Sequence, residues 1–260
     1  MNCVFAAGFL FPQQIVGGGY FRDLANRYPD ACFPEVPVAG TVQQRAQALA
    51  NQIVDRFPTG EMHIIAHSMG GLDARCLLSQ NLLGLANPGR VMSLSTVATP
   101  HHGSPVADLL VGDQPDSKDL RHFAYEALSR ALSHLSIHFG ALGDLTSGFA
   151  EEFNRENPKL DHIRYFPYAG SGNDSSLLSP LHAYIESLGK TEDEKTNDGL
   201  VSVASAKWPG DLVEPPWPTD HPGEVGHNLN GFGRKLNFDH LAAFDRVVRN
   251  VVLIGHETQL

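Results

Sequence analysis

One segment, Met62-His63-Ile64-Ile65-Ala66-His67-Ser68-Met69-Gly70-Gly71, constrains the fold more than any other stretch of this 260-residue chain. An apolar run of strand length passes through a single serine into two glycines and then into a helical pattern over 71–78. A strand that turns into a helix within one residue strains the backbone of that residue. Only very small side chains fit two places before it and two after it, here Ala66 and Gly70. The neighbouring chain repeats the same alternation. Residues 3–7 form a short apolar run ending at Gly8, and 20–28 reads as a helix. Ala31-Cys32-Phe33 opens a strand stopped by Pro34 and Pro37. A helix follows over 41–57, with Thr41 as N-cap and Val42, Ala46, Leu49, Ile53 and Val54 on one face. Further strands are expected at 62–66, at 91–97 and from Ile163. A last helix over 239–253 carries the stripe Leu241, Phe244, Val247, Val248, Val251 and Val252, with Gly255 just past its end. Continuous apolar strands alternating with amphipathic helices predict a mostly parallel central sheet covered by helices on both faces.

The alternation breaks over 104–160. A helical stripe there, Phe123, Ala127, Leu128, Ala131, Leu132, Leu135 and Phe139, precedes a looser stretch over 140–158. An insertion of this size is either a cap over a site or extra packing; as a cap it would have Phe123, Leu128, Leu132, Leu135 and Phe139 as its substrate-facing side and Arg121, Glu126 and Arg130 toward water. With no repeat and no linker, 1–260 reads as a single domain with 104–160 as cap or lid. The formal charge of −10 and the lack of a basic run argue against a nucleic-acid binder. No stretch reaches the roughly 18 apolar residues of a membrane span. Cys3, Cys32 and Cys76 have neither disulfide-framework nor metal spacing and read as small buried side chains. The first residues have no basic region or cleavable apolar core, which fits an intracellular protein or a mature form whose signal has been removed.

The strained turn would raise Ser68 Oγ above the sheet and aim the Met69 N–H, at a helix N-terminus, into the same space. Other segments accompany it: Gly8-Phe9-Leu10 after the first strand, Tyr20-Phe21-Arg22, Pro34-Glu35-Val36 and Arg45-Ala46. Ala98-Thr99-Pro100-His101-His102-Gly103-Ser104 and Asn197-Asp198-Gly199-Leu200-Val201 follow. In order and spacing these resemble the bacterial triacylglycerol lipases of the α/β-hydrolase fold over nearly the whole chain. Ala7 stands where that family's oxyanion turn carries a histidine. The resemblance implies a carboxylic-ester hydrolase working through a Ser-His-Asp triad and an acyl-enzyme, with a lipid or ester substrate. Polyester, thioester and short-chain ester hydrolysis by the same triad are alternatives, as is a non-catalytic binding protein on a hydrolase scaffold.

A serine nucleophile needs a base, and the base needs a carboxylate to fix its tautomer. In this fold the order is Ser, then Asp or Glu, then His. The resemblance assigns the acid to Asp198. Asp193, in an acidic run, reads as solvated. His221, His227, His240 and His256 follow Asp198. The segment His221-Pro222-Gly223-Glu224-Val225-Gly226-His227 resembles the family's catalytic-histidine segment, which makes His221 the expected base and His240 its rival. The backbone N–H groups of Phe9 and Met69 are the expected oxyanion donors. Several of these lipases hold calcium through an aspartate two residues after the histidine. Here that position is Gly223, and His227 stands where a glutamine is usual, so no metal is expected. His134 and His138 have a zinc-compatible spacing but read as a solvated helix face. No cofactor is expected, and the chain reads as a monomer with, at most, transient contact with a lipid interface.

Overall fold

Four short segments become strands: β1 (Asn2–Ala6), β2 (Met62–His67), β3 (Val91–Val97) and β4 (Arg164–Tyr168). They lie side by side in that order, and every pairing is parallel. Parallel neighbours cannot be joined by a tight hairpin, so each connection must cross over the sheet. The structure, a computed structural model, describes residues 1–9, 19–112, 120–134, 139–230 and 237–257. Within these, α1 (Leu24–Arg27) and α2 (Val42–Arg56) link β1 to β2, and α3 (Gly70–Ser79) links β2 to β3. The longest connection, from β3 to β4, carries α4 (Pro105–Val111), α5 (Leu120–His134), a 3-10 turn (Phe139–Leu145) and α6 (Ser147–Glu156). After β4 come α7 (Ser179–Leu188), α8 (Glu192–Lys195), α9 (Val203–Ala206) and α10 (His240–Glu257).

The centre of the sheet is buried on both faces, which is why Cys3–Ala6 of β1 and Ile64–Ala66 of β2 read as continuous apolar runs. Side chains alternate along a strand. Val4, Ala6, Met62, Ile64 and Ala66 pack with Ala46, Leu49 and Ile53 of α2 and Leu72 and Cys76 of α3. Cys3, Phe5, Ile65 and Val97 pack on the other side, with Phe21, Leu24, Phe244 and Val247. The Phe5 ring is enclosed by those of Phe21, Tyr28, Phe33 and Phe244. α2 starts where its sequence dictates. The Thr41 side chain accepts from Gln44 N while the Gln44 side chain accepts from Thr41 N, a reciprocal capping box.

Several expected elements come out differently, each for a local reason. The helix over 20–28 is a single turn, α1, because Asp23 sits at φ 61° and breaks the helical path, although Tyr20, Phe21 and Leu24 are buried as a helix would bury them. The strand at 31–33 reduces to one parallel bridge between Cys32 and Val4, since Pro34 has no N–H to extend the ladder. The looser stretch over 140–158 contains α6, capped by Thr146 and burying only Ala150 and Phe153, too short a stripe to announce itself. α10 runs through Gly255 to Glu257, and its buried side chains are Ala243, Phe244, Val247 and Val251, with Leu241 and Val248 half-covered. In α5, Ala124 is buried while Phe123 is 53% exposed. Leu135 and His138 lie outside the described residues, as do the side chains of Ala127, Leu128, Arg130, Ala131, Leu132, His134 and Phe139. No helix among the described residues is long and apolar enough to cross a membrane.

Candidate active site

Ser68 stands between the end of β2 and the start of α3 at φ 56°, a left-handed conformation that costs a non-glycine residue about 1–3 kcal/mol. The surroundings enforce it. Ser68 N–H donates to the Val97 carbonyl at 2.9 Å, and the Ser68 carbonyl accepts from Thr99 Oγ1 at 2.8 Å. A Cβ on Gly70 would lie 2.5 Å from the Ala6 carbonyl oxygen and 2.8 Å from that of Ala7, and one on Gly71 would collide with Thr99. The tight turn anticipated from small residues thus has a definite cause. α3 starts directly against the backbone that follows β1.

Asp198 and His221 meet beside this turn. Both are buried, and Asp198 Oδ2 lies 2.8 Å from His221 Nδ1. Asp198 Oδ1 accepts from the N–H groups of Leu200 and Val201 at 2.8 and 2.7 Å, and the His221 N–H donates to the Asp198 carbonyl at 3.0 Å. A carboxylate pinned by two amides is a fixed acceptor, so His221 Nδ1 carries the proton and Nε2 keeps its lone pair. His221 and Ser68 line one pocket. The rest of its wall is almost wholly apolar, including Val106, Ala107 and Leu110 of α4, Leu142 and Leu145 of the 3-10 turn, and Leu200. Phe123 is not among the lining residues. The rival, His240, sits at the start of α10 with its Nε2 donating to the Arg22 carbonyl at 2.9 Å.

The turn after β1 packs against Ser68. Arg45, fully buried, donates through Nη2 to the carbonyls of Ala7 and Gly8 at 2.8 and 3.2 Å and through Nε to Asp73 Oδ2 at 2.9 Å. Holding those two carbonyls fixes the peptides leading into Phe9. Neither the Phe9 nor the Met69 N–H has a hydrogen-bond partner among the described residues. Gly8 is obligatory, because a Cβ there would come within 2.6 Å of Ser68 Cβ and would also strike the Tyr20 hydroxyl.

The sequence motifs include Tyr20, Arg45, His67 and Glu224 but give none of them a role, and Asp73 lies outside those motifs. Arg45 had a signal, a charge set into the apolar stripe between Val42 and Ala46–Leu49. Glu224 had none. It is fully buried, its Oε2 is 2.7 Å from His67 Nε2, and Oε1 has no partner. Burial, then the charge of Asp198, push its carboxyl well above the usual range. Burial, then neighbouring His221, hold His67 well below the usual imidazole range, so its ring is neutral. Burial also raises Asp220 to about 6.

His67, His221 and Glu224 place three potential metal-ligand atoms within 4.8 Å of one another. The 2.7 Å between His67 Nε2 and Glu224 Oε2 is hydrogen-bond spacing, shorter than the roughly 3.3 Å that separates two ligands on a tetrahedral zinc. At Gly223, where the sequence resemblance would put a calcium-binding aspartate, a Cβ would collide with Thr219 and approach Asp220 Oδ1 to 2.9 Å, leaving no room for a carboxylate arm.

A parallel sheet with helices on both faces and a serine in a left-handed strand-to-helix turn defines an α/β-hydrolase fold. The comparisons with known proteins agree. Triacylglycerol lipase 2 of Saccharomyces cerevisiae is 29% identical over 186 residues, covering 67% of this chain and 51% of that protein. The triacylglycerol lipase of Pseudomonas fragi is 26% identical over 239 residues, covering 78% of this chain and 79% of that one. Among solved structures, the mature form of the Bacillus licheniformis lipase BlEst2 superimposes with a TM-score of 0.66 at 22% identity over 88% of this chain and 87% of that chain. The chain thus spans about half the length of the Saccharomyces relative. No family model matches it.

Proposed function

We propose that this protein is a carboxylic-ester hydrolase acting on acylglycerols or closely similar lipid esters, with Ser68 as nucleophile, His221 as base and Asp198 as the acid that orients it. The observation that carries this reading is the 2.8 Å contact between His221 Nδ1 and a doubly anchored Asp198, in the same pocket as a serine at φ 56°. His221 Nε2 takes the Ser68 hydroxyl proton as Oγ bonds to the ester carbonyl carbon. The oxygen that becomes negative is held by the N–H groups of Phe9 and Met69. The bond to the alcohol oxygen then breaks, and that oxygen receives the proton from His221, leaving an acyl-enzyme. Water gives a proton to His221 and attacks the acyl carbon, and the carboxylic acid leaves as Ser68 regains its proton.

The apolar wall from α4 and the 3-10 turn fits an aliphatic acyl chain. In this reading the chain is one domain with 104–160 as its cap. Val111, Leu120 and Phe123, all exposed on that segment, form the side that meets a lipid surface. The test is turnover of an ester series from acetate to long-chain glycerides, below and above substrate solubility. The reading predicts hydrolysis that disappears in Ser68→Ala and rises once long-chain substrate forms droplets. Equal turnover by Ser68→Ala, or none by a folded wild-type protein, contradicts it. Simple saturation through the solubility limit removes the interfacial role of the cap and leaves the hydrolase.

A further inference from the structure

Behind Ser68 and the Asp198–His221 pair runs a second buried chain of hydrogen bonds that the proposed reaction does not use. His67 is its centre. Its Nδ1 lies 2.7 Å from the Tyr20 hydroxyl and its Nε2 2.7 Å from Glu224 Oε2. All three residues are buried, Tyr20 at 4% exposure and the other two at 0%. Each end of the chain touches a different part of the site. The Tyr20 hydroxyl lies beside Gly8, where an added Cβ would strike it, and Gly8 is the residue whose carbonyl Arg45 holds and whose successor is Phe9. At the other end, Glu224 Oε2 is 3.7 Å from His221 Nδ1, and the His67 and His221 rings lie 4.6 Å apart.

We propose that His67 is a positioning residue for the ester hydrolysis argued above, its ring tying the oxyanion turn, through Tyr20, to the Asp198–His221 pair, through Glu224. A neutral imidazole has one N–H and one lone pair, so it can accept from one neighbour and donate to the other. A hydroxyl and a carboxyl can each play the complementary part, which makes the chain self-consistent in either direction. Glu224 Oε1 has no partner among the described residues, and its Oε2 bond to His67 helps to orient this carboxyl. An apolar side chain at 67 would take the imidazole partner from both the Tyr20 hydroxyl and Glu224 Oε2, out of reach of water, and both would shift toward their remaining partners. Those shifts would move the Phe9 N–H and the His221 ring independently. Catalysis is sensitive to such errors, since a misplacement of about 1 Å can cost on the order of a hundredfold.

The test compares Tyr20→Phe, His67→Gln, His67→Leu and the double variant Tyr20→Phe/His67→Leu with the wild-type protein on a soluble ester. The value of kcat is expressed per site titrated with a fluorophosphonate, so that any misfolded fraction drops out. We expect His67→Leu to lower kcat about tenfold to a hundredfold with KM changed little. His67→Gln, whose amide can still reach Glu224, recovers part of the loss. Tyr20→Phe lowers kcat on its own but adds almost nothing in the His67→Leu background, because both changes cut the same chain. The proposal is overturned if kcat per titrated site stays within about twofold of wild type in Tyr20→Phe and His67→Gln or His67→Leu, or if the effects multiply independently. If His67→Leu does not fold, Tyr20→Phe and His67→Gln decide by the same criterion. Absence of labelling and turnover in the wild-type protein overturns the hydrolase reading and this inference together. A working enzyme indifferent to His67 overturns this inference alone.

Discussion

His221 and His240 both follow Asp198 in the sequence, and their surroundings separate them. His221 Nδ1 meets a carboxylate held by two amides, whereas the His240 ring is spent on the Arg22 carbonyl. His221→Ala is therefore expected to lower turnover by on the order of ten-thousandfold or more, as loss of a triad base does. His240→Ala should leave turnover near wild type and cost about 1 kcal/mol of stability, one hydrogen bond's worth. Ester assays and denaturant unfolding of the two purified variants check this, and the reverse ranking would transfer the base role to His240. The motifs around Ser68, Asp198 and His221 were legible because each is a compact local pattern. Glu224 and His67 were not, because a contact between residues 157 positions apart leaves no local trace. His67 looked like one more residue of the turn after the strand at 62–66, and Glu224 like a charge in a Pro- and Gly-rich loop.

At the scale of elements, β2, α2 and β3 were readable because apolar periodicity, capping and burial all agree there. The short elements α1 and α6 were not, since their limits are set by Asp23 at φ 61° and by the Thr146 cap rather than by a long stripe. The joint between β2 and α3 depends on having no side chain where the two elements touch. Gly70→Val would push atoms into the carbonyls of Ala6 and Ala7, which are backbone and cannot yield cheaply. The expected outcome is a loss of more than about 3 kcal/mol or failure to fold, measured by urea unfolding and soluble yield. A stable, active Gly70→Val protein would mean that the turn is looser than this geometry requires.

Across the whole molecule, buried polar side chains tie distant segments together. Arg75 of α3 lies with Cζ 3.5 Å over the Trp208 ring, donates to the Asn157 carbonyl after α6, and contacts His101 Nδ1 at 3.1 Å. Burial pushes Arg75 down to about 9, and the same burial, with the charge of Arg75, holds His101 well below the usual imidazole range. In the unfolded chain His101 titrates near 6.5, so below that pH the unfolded state binds a proton that the folded state refuses. The stability this neutral ring contributes is present above about pH 6.5 and is lost as the pH falls. Acidification from about pH 7 to about pH 5 should therefore cost the native protein more stability than it costs His101→Gln. Asp220, raised to about 6, acts with the opposite sign, because its folded state keeps a proton that the unfolded chain releases above about pH 4. Over about pH 4–6, Asp220→Asn should therefore gain stability relative to the native protein as the pH rises. Parallel unfolding curves for each pair across this range would contradict both assignments. These cross-links join segments far apart in sequence, and only the alternation of strands and helices made the overall architecture readable in advance.

The central claim is that Ser68 is an activated nucleophile. Its most direct test is reaction with a fluorophosphonate, followed by intact-mass measurement and peptide mapping. The account predicts one adduct per chain, on Ser68, lost in Ser68→Ala and formed far more slowly in His221→Ala. An adduct on another serine, or ester turnover by a protein that takes no label, would contradict it.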